Sequence, residues 1–252
     1  MRFVLRLLPL LMIAAAGMDA NATASANANV AAEPPPLVFI APTNHAMPMA
    51  RFENGELSGG MLKDLGELIA QRLGRRPVFI SRPSRRVSDT LSSGQADAVC
   101  YVLPNWLTGS YHWSQPLIAN GGIVVARGDA PVLRTIADLA DKPVGTITGY
   151  RYPEIEAALG SHFARDDAPT MEHNFRKLDI GRMQYALTEP ATLSYRMRMD
   201  PQAHLRSDIV FNSFKAQCAF SLKSTLPFAQ VDRAINGLVG DGSIQTLLDR
   251  YR

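Results

Sequence analysis

Residues 76–102 read RPVFISRPSRRVSDTLSSGQADAVCYV, and the fold turns on how they are parsed. Residues 76–81 (RPVFIS) read as a short strand. Residues 87–93 then carry helical spacing and end at Gly94, and residues 96–102 turn apolar again. Strand, short helix, strand predicts a parallel crossover rather than a hairpin. Upstream, residues 37–41 (LVFIA) form another strand, and residues 59–73 place apolar side chains at 61, 62, 65, 68, 69 and 73, one buried face of a helix. The chain therefore opens β-α-β-α-β, a parallel sheet whose ligand loops stand at the carboxyl ends of its strands.

Downstream, residues 121–126 (GGIVVA) read as a strand and Arg127-Gly128-Asp129 as a crossing point into a second β/α series. That series has strands at 144–147, 185–187 and 209–211 and helices at 153–159, 170–180 and 190–199. Pro153, Pro190 and Pro227 each fall in a predicted first helical turn, where a missing N–H costs nothing. The end of the chain, a strand at 219–222 and helices at 227–240 and 243–250, has the character of the first half. The expected architecture is thus α/β in two lobes: lobe one from 37 to 127, lobe two from 128 to 212, and a return to lobe one from 213 to 252.

Arg2 and Arg6 precede an apolar run to Gly17 and a small-residue stretch to Ala26, the pattern of a secretory signal peptide over residues 1–26. Residues 27–36, Ala/Asn-rich and ending in three prolines, read as a disordered lead-in. Periplasmic export of a soluble protein is the expectation, without a lipid anchor, since no cysteine follows the leader. Without the leader's charges the formal charge falls from +3 to +2, with 24 basic against 22 acidic side chains. That balance, with no basic stripe, argues against a nucleic-acid or membrane-surface partner.

Cys100 and Cys218 are the two cysteines; in an oxidising compartment they either pair or serve as small buried hydrophobes. No nucleophile elbow, phosphate-cradling glycine loop or zinc-protease helix occurs. The five histidines are scattered without metal-ligand spacing. No catalytic residue, metal or cofactor is expected.

Several phrases, in order, resemble the bacterial family 3 extracellular solute-binding proteins, receptors of polar-amino-acid ABC transporters. They are Asn54-Gly55 with Gly59; Leu91-Ser92-Ser93-Gly94-Gln95-Ala96-Asp97-Ala98; Trp113-Ser114-Gln115-Pro116-Leu117; Ile136 to Gly145 (IADLADKPVG); and Thr148-Gly149. The resemblance spans nearly all of 37–252. It implies a two-lobed periplasmic binding protein fold of class II, each lobe a doubly wound sheet flanked by helices, with two hinge crossovers and a ligand in the interlobe cleft. Ligand contacts from both lobes would then select the closed form.

The implied function is capture of a small polar molecule, amino-acid-like or bearing an amine or carboxylate, by a monomer that serves an ABC permease. A ligand sensor for a membrane receptor is the alternative on the same fold, as is a small-carboxylic-acid dehydratase with Glu189 as proton donor. The family's carboxylate-clamping arginine stands seven residues before the serine of its Phe-Ser phrase, which here is Leu107. Its amine-binding aspartate corresponds to Glu189.

The residues themselves nominate further contacts. Tyr101 and Trp106 follow the third strand and could stack on a flat ligand or hold a cation, or simply pack. Thr43, Asn44 and His45 follow the first strand. Thr148, Gly149, Tyr150 and Arg151 precede a helix and could receive an anion. Arg86, just before a short helix, could replace the lost clamp, or face solvent.

Overall fold

The computed structural model describes residues 33–251. The leader and residues 27–32 lie outside the described residues; residues 33–36 are exposed coil.

Lobe one opens with β1 (Leu37–Pro42), a hairpin of β2 (Arg51–Glu53) and β3 (Glu56–Gly59), α1 (Met61–Arg72), β4 (Pro77–Arg82), α2 (Val87–Ser92), β5 (Ala98–Val102) and β6 (Tyr111–Trp113). The chain crosses on β7 (Ile118–Arg127) to β8 (Val144–Ile147), α3 (Pro153–Leu159), β9 (Arg165–Ala168), α4 (Met171–Asp179), β10 (Tyr185–Thr188) and α5 (Pro190–Met199). It returns on β11 (Leu205–Ser221) and ends in α6 (Phe228–Gly240) and α7 (Ser243–Asp249). The strand order is β4-β1-β5-β11-β7-β10-β8-β9, with β6 also on β11. β1 is parallel to β4 and β5, and β8 to β9 and β10; β11 is antiparallel to both β5 and β7.

Helices cover both faces of the central strands, which is why β5, β8 and β10 are buried along their whole length. In β5, Ala98 and Cys100 enter the core beneath α1, α6 and α7, while Val99 and Val102 face α2. In β7, Ile123 and Val125 pack toward α4, Val124 and Ala126 toward α3. Asp97, in the phrase that ends α2, pins the layers: its carboxylate accepts from Val38 N at 2.8 Å and from Ser224 Oγ at 2.6 Å.

Two expectations change. The strands expected at 209–211 and 219–222 are one strand of 17 residues, broken by register shifts near 208, 211 and 217. Asp208, Asn212 and Gln217, at or beside those shifts, interrupt the apolar pattern while the ladder continues. The expected loop after β1 contains the β2–β3 hairpin, turned by Asn54 and Gly55 at φ 53° and 82°, the positive values a tight two-residue turn requires. Cys100 and Cys218, opposite each other on β5 and β11, are joined in a disulfide. Among the described residues no helix is long and apolar enough to cross a membrane.

Candidate functional site

The loops at the carboxyl ends of β1, β4 and β5 face those of β8 and β10, and β7 and β11 pass between the two sets. A cavity of about 480 Å³ lies there. Glycines let the two crossing strands approach closely: a Cβ on Gly121 would stand 2.5 Å from Asn212 O, and one on Gly122 would overlap the Phe211 ring.

On the hinge side three polar groups answer one another. Asn120 Nδ2 donates to Tyr101 Oη at 2.5 Å and to Glu189 Oε2 at 3.3 Å. Glu189 is half-buried, and desolvation raises its pKa to about 7, an effect partly offset by a hydrogen bond from Tyr101. Tyr101 is 1 % exposed and sits at φ 64°, a conformation that turns its ring from the β5 edge into the cavity. Burial first, and the Glu189 charge second, push its hydroxyl well above the ordinary tyrosine range. Tyr150, across the cavity, is shifted the same way for the same two reasons.

Around this cluster stand aromatic rings. His45 meets Tyr101 edge-on at 5.5 Å, Tyr101 meets Phe214 at 6.1 Å, and Phe214 meets Trp106 at 5.2 Å. Burial lowers the His45 pKa to about 4, so its ring is neutral at pH 7. On the lobe-one wall, Asn44 is 6 % exposed and its amide makes no hydrogen bond of ordinary geometry; it lies against the Tyr150 hydroxyl, where it favours the ionised phenol.

Of the residues expected at the ligand, Asn44, Tyr101, Trp106, Gly149, Tyr150, Arg151 and Glu189 line the cavity. Arg86 and Thr148 do not. Arg86 is exposed, and the 3₁₀ turn Ser84–Arg86 puts its neighbour Arg85 on the cavity instead. The Thr148 hydroxyl donates to Ala168 O. Arg151 stands at the rim with its side chain 82 % exposed, held by Glu156 Oε2 at 3.1 Å. The same carboxylate accepts from Tyr152 N at 3.1 Å, so the turn before α3 is already supplied with an anion from its own chain. Leu107 lines the cavity as well. Asn120, Phe214 and Arg85 are the site residues that sequence reasoning missed.

Solved structures share this fold. An ancestral arginine-binding protein bound to arginine superposes with a TM-score of 0.73 at 19% identity, over 86% of this chain and 97% of that one. The GluR0 ligand-binding core in complex with L-glutamate gives 0.73 at 15% identity, over 87% and 99%. The chain has the two-lobed periplasmic binding protein fold. The amino acid ABC transporter substrate-binding protein AbpA of Streptococcus pneumoniae, bound to L-arginine, gives 0.70 at 18% identity, over 86% and 94%. The ancestral amino acid-binding protein AncCDT-1, a precursor of cyclohexadienyl dehydratase, gives 0.70 at 16%, over the same shares. No family profile matches the sequence, and no curated protein matches it. In a binding-protein fold the space between the lobes is where strand ends from both sheets converge, which is where this cavity lies.

Proposed function

We propose that the protein is an exported solute receptor, in the periplasm, that closes its lobes on a small polar molecule and delivers it to an ABC importer. The boundaries of 37–127 with 213–252 for lobe one, and 128–212 for lobe two, belong to this reading. Its strongest support is the interlobe cavity, walled by aromatic rings and holding a buried amide without a partner beside a carboxyl raised to about 7. Buried polar groups are otherwise almost always paired, so polar groups that the fold leaves facing a cavity suit a polar ligand. Glu189 with Tyr101, Trp106 and Phe214 suits an amine or another donor-rich group. A sensing role is the same binding event read by a membrane receptor; a neighbouring permease and ATPase gene pair supports import, a signalling gene supports sensing.

The test is thermal unfolding of the ligand-stripped protein against amino acids, polyamines, carboxylates and sugars. A ligand at 100 times its dissociation constant stabilises by about 2.7 kcal/mol, a shift of a few degrees for a chain of this size. A flat panel at millimolar concentration overturns the reading.

One observation favours a second reading. A carboxyl with a pKa near 7 facing a cavity is poised as a general acid, so Glu189 could protonate a leaving hydroxyl of a small cyclic carboxylic acid; water departs as the C–O bond breaks, a proton on the neighbouring carbon passes to solvent, and its electron pair forms the new C=C bond. Product formation seen by mass spectrometry, and lost in Glu189→Gln, would establish it; no turnover would remove it.

A further inference from the structure

The lobe-one wall of the cavity gathers polar groups that the fold leaves unanswered. Neither Nδ2 nor Oδ1 of Asn44 has a hydrogen-bond partner, and the buried Ser84 Oγ has none either; both residues line the cavity. They come from neighbouring strands. β1 and β4 run in register to Pro42 opposite Arg82, and Asn44 and Ser84 each follow two residues later. Arg85 comes next, also on the cavity, and makes no hydrogen bond or ion pair among the described residues. Its stem lies against the other lobe, where a Cβ on Gly149 would stand 3.3 Å from Arg85 Cγ. That contact sets the Arg85 stem at the seam between the lobes and leaves its guanidinium exposed and uncommitted. The other arginine of the lining, Arg151, is committed to Glu156.

We infer that Asn44, Ser84 and Arg85 form a carboxylate anchor, and that the ligand carries a carboxylate at this end with its donor-rich end toward Glu189. The inference rests on the solute-receptor reading of the cleft and names the ligand class within it. The guanidinium fork matches a carboxylate bidentately. The Asn44 amide and the Ser84 hydroxyl donate to the remaining lone pairs, and Asn44 Oδ1 is left to accept an N–H from the ligand. The anchor stands after β4, on one side of β1, whereas Leu107 follows β5, on the other side. The carboxylate therefore approaches lobe one across β1 from the wall where Leu107 offers it nothing.

The experiment uses matched ligands that differ by the carboxylate: L-lysine and cadaverine, L-phenylalanine and phenethylamine, glycine betaine and choline. Thermal unfolding is followed by calorimetric titration on the wild type, Arg85→Gln, Ser84→Ala and Arg86→Gln. At least one carboxylate-bearing member should stabilise the protein while its partner does not at the same concentration. Arg85→Gln should weaken that ligand ten- to a hundredfold and Ser84→Ala about threefold or more. Arg86→Gln should leave it unchanged, with all unliganded melting temperatures within a degree or two. Equal binding of a decarboxylated partner, or full affinity in Arg85→Gln, overturns the anchor and leaves the receptor standing. No shift with any of the three carboxylate-bearing ligands overturns the anchor; silence of polyamines, other carboxylates and sugars as well overturns the receptor too.

Discussion

On the hinge side of the cleft Tyr101, Asn120 and Glu189 satisfy one another, whereas on the lobe-one wall the Asn44 amide and the Ser84 hydroxyl make no hydrogen bond of ordinary geometry. Both sets are polar and sheltered, yet they do different work. A group that hydrogen-bonds within the protein contributes to its stability, and deleting one member strands the others. A buried group without a partner lowers stability until something arrives to meet it. Sensitivity of folding should therefore concentrate at the hinge, and sensitivity of binding at the wall.

The largest effect should come from the disulfide, which fastens β5 to β11 one residue from Tyr101. Replacing Cys100 and Cys218 by alanine should cost about 5 kcal/mol in the chain-entropy view, for a bridge spanning 118 residues. Urea unfolding measures it. Amide exchange should accelerate at Tyr101 and Asn120 well before the backbone of Asn44, and uniform acceleration would erase the distinction between the two regions.

Protonation gives the next effect. An ordinary glutamate has a pKa of 4.5 and Glu189 about 7, so between those values the unfolded chain has released a proton that the folded protein keeps. Stability falls as pH rises through that window, by about 3 kcal/mol in full above pH 7. His45 runs the other way: with a pKa of 6.5 unfolded and about 4 folded, it costs stability as pH falls through its window. Between about 4.5 and 6.5 the two slopes oppose and the profile should be nearly flat. Glu189→Gln should be more stable than wild type by about 3 kcal/mol at pH 8, equal to it at pH 4, and should expose the acid slope of His45. Chemical denaturation across pH reads all three.

Tyr101→Phe removes the hydroxyl shared by Asn120 and Glu189 and should destabilise by about 1–3 kcal/mol. Asn44→Leu, of similar size but without an unpaired amide, should be neutral or more stable by about 1 kcal/mol while ligand affinity collapses. A destabilised Asn44→Leu with intact binding would reverse the assignment of the two regions.

Much of the fold was legible because its strands are buried on both faces and stand out as apolar runs between helices of 3.6 periodicity. The charged β9, Arg-Asp-Asp-Ala, has no such run, and only its parallel ladder with β8 makes it a strand. The β2–β3 turn carried a readable signal in Asn54-Gly55. Site residues at strand ends were legible through the topology of parallel sheets. Asn120 and Phe214 were not, because they lie within crossing strands whose inward face depends on twist and register shifts that a period of two does not record. Arg85 and Arg86 are adjacent and chemically equal in the sequence; only the turn at Ser84–Arg86 tells them apart.

β11 has a further consequence, for the order in which the molecule can assemble. β5 has its outer edge covered only by β11, and the core beneath β1 is completed by Val231, Ile235, Leu238, Ile244 and Leu247 of α6 and α7. All of these follow lobe two along the chain. A polypeptide made or threaded from its N-terminus therefore carries the first lobe as an unfinished sheet, and Cys100 as a thiol without its mate, until the final fifth of the chain emerges. Contacts that close over such long sequence separation form late. The arrangement of elements thus ties compaction of the first lobe to segments that follow the second along the chain.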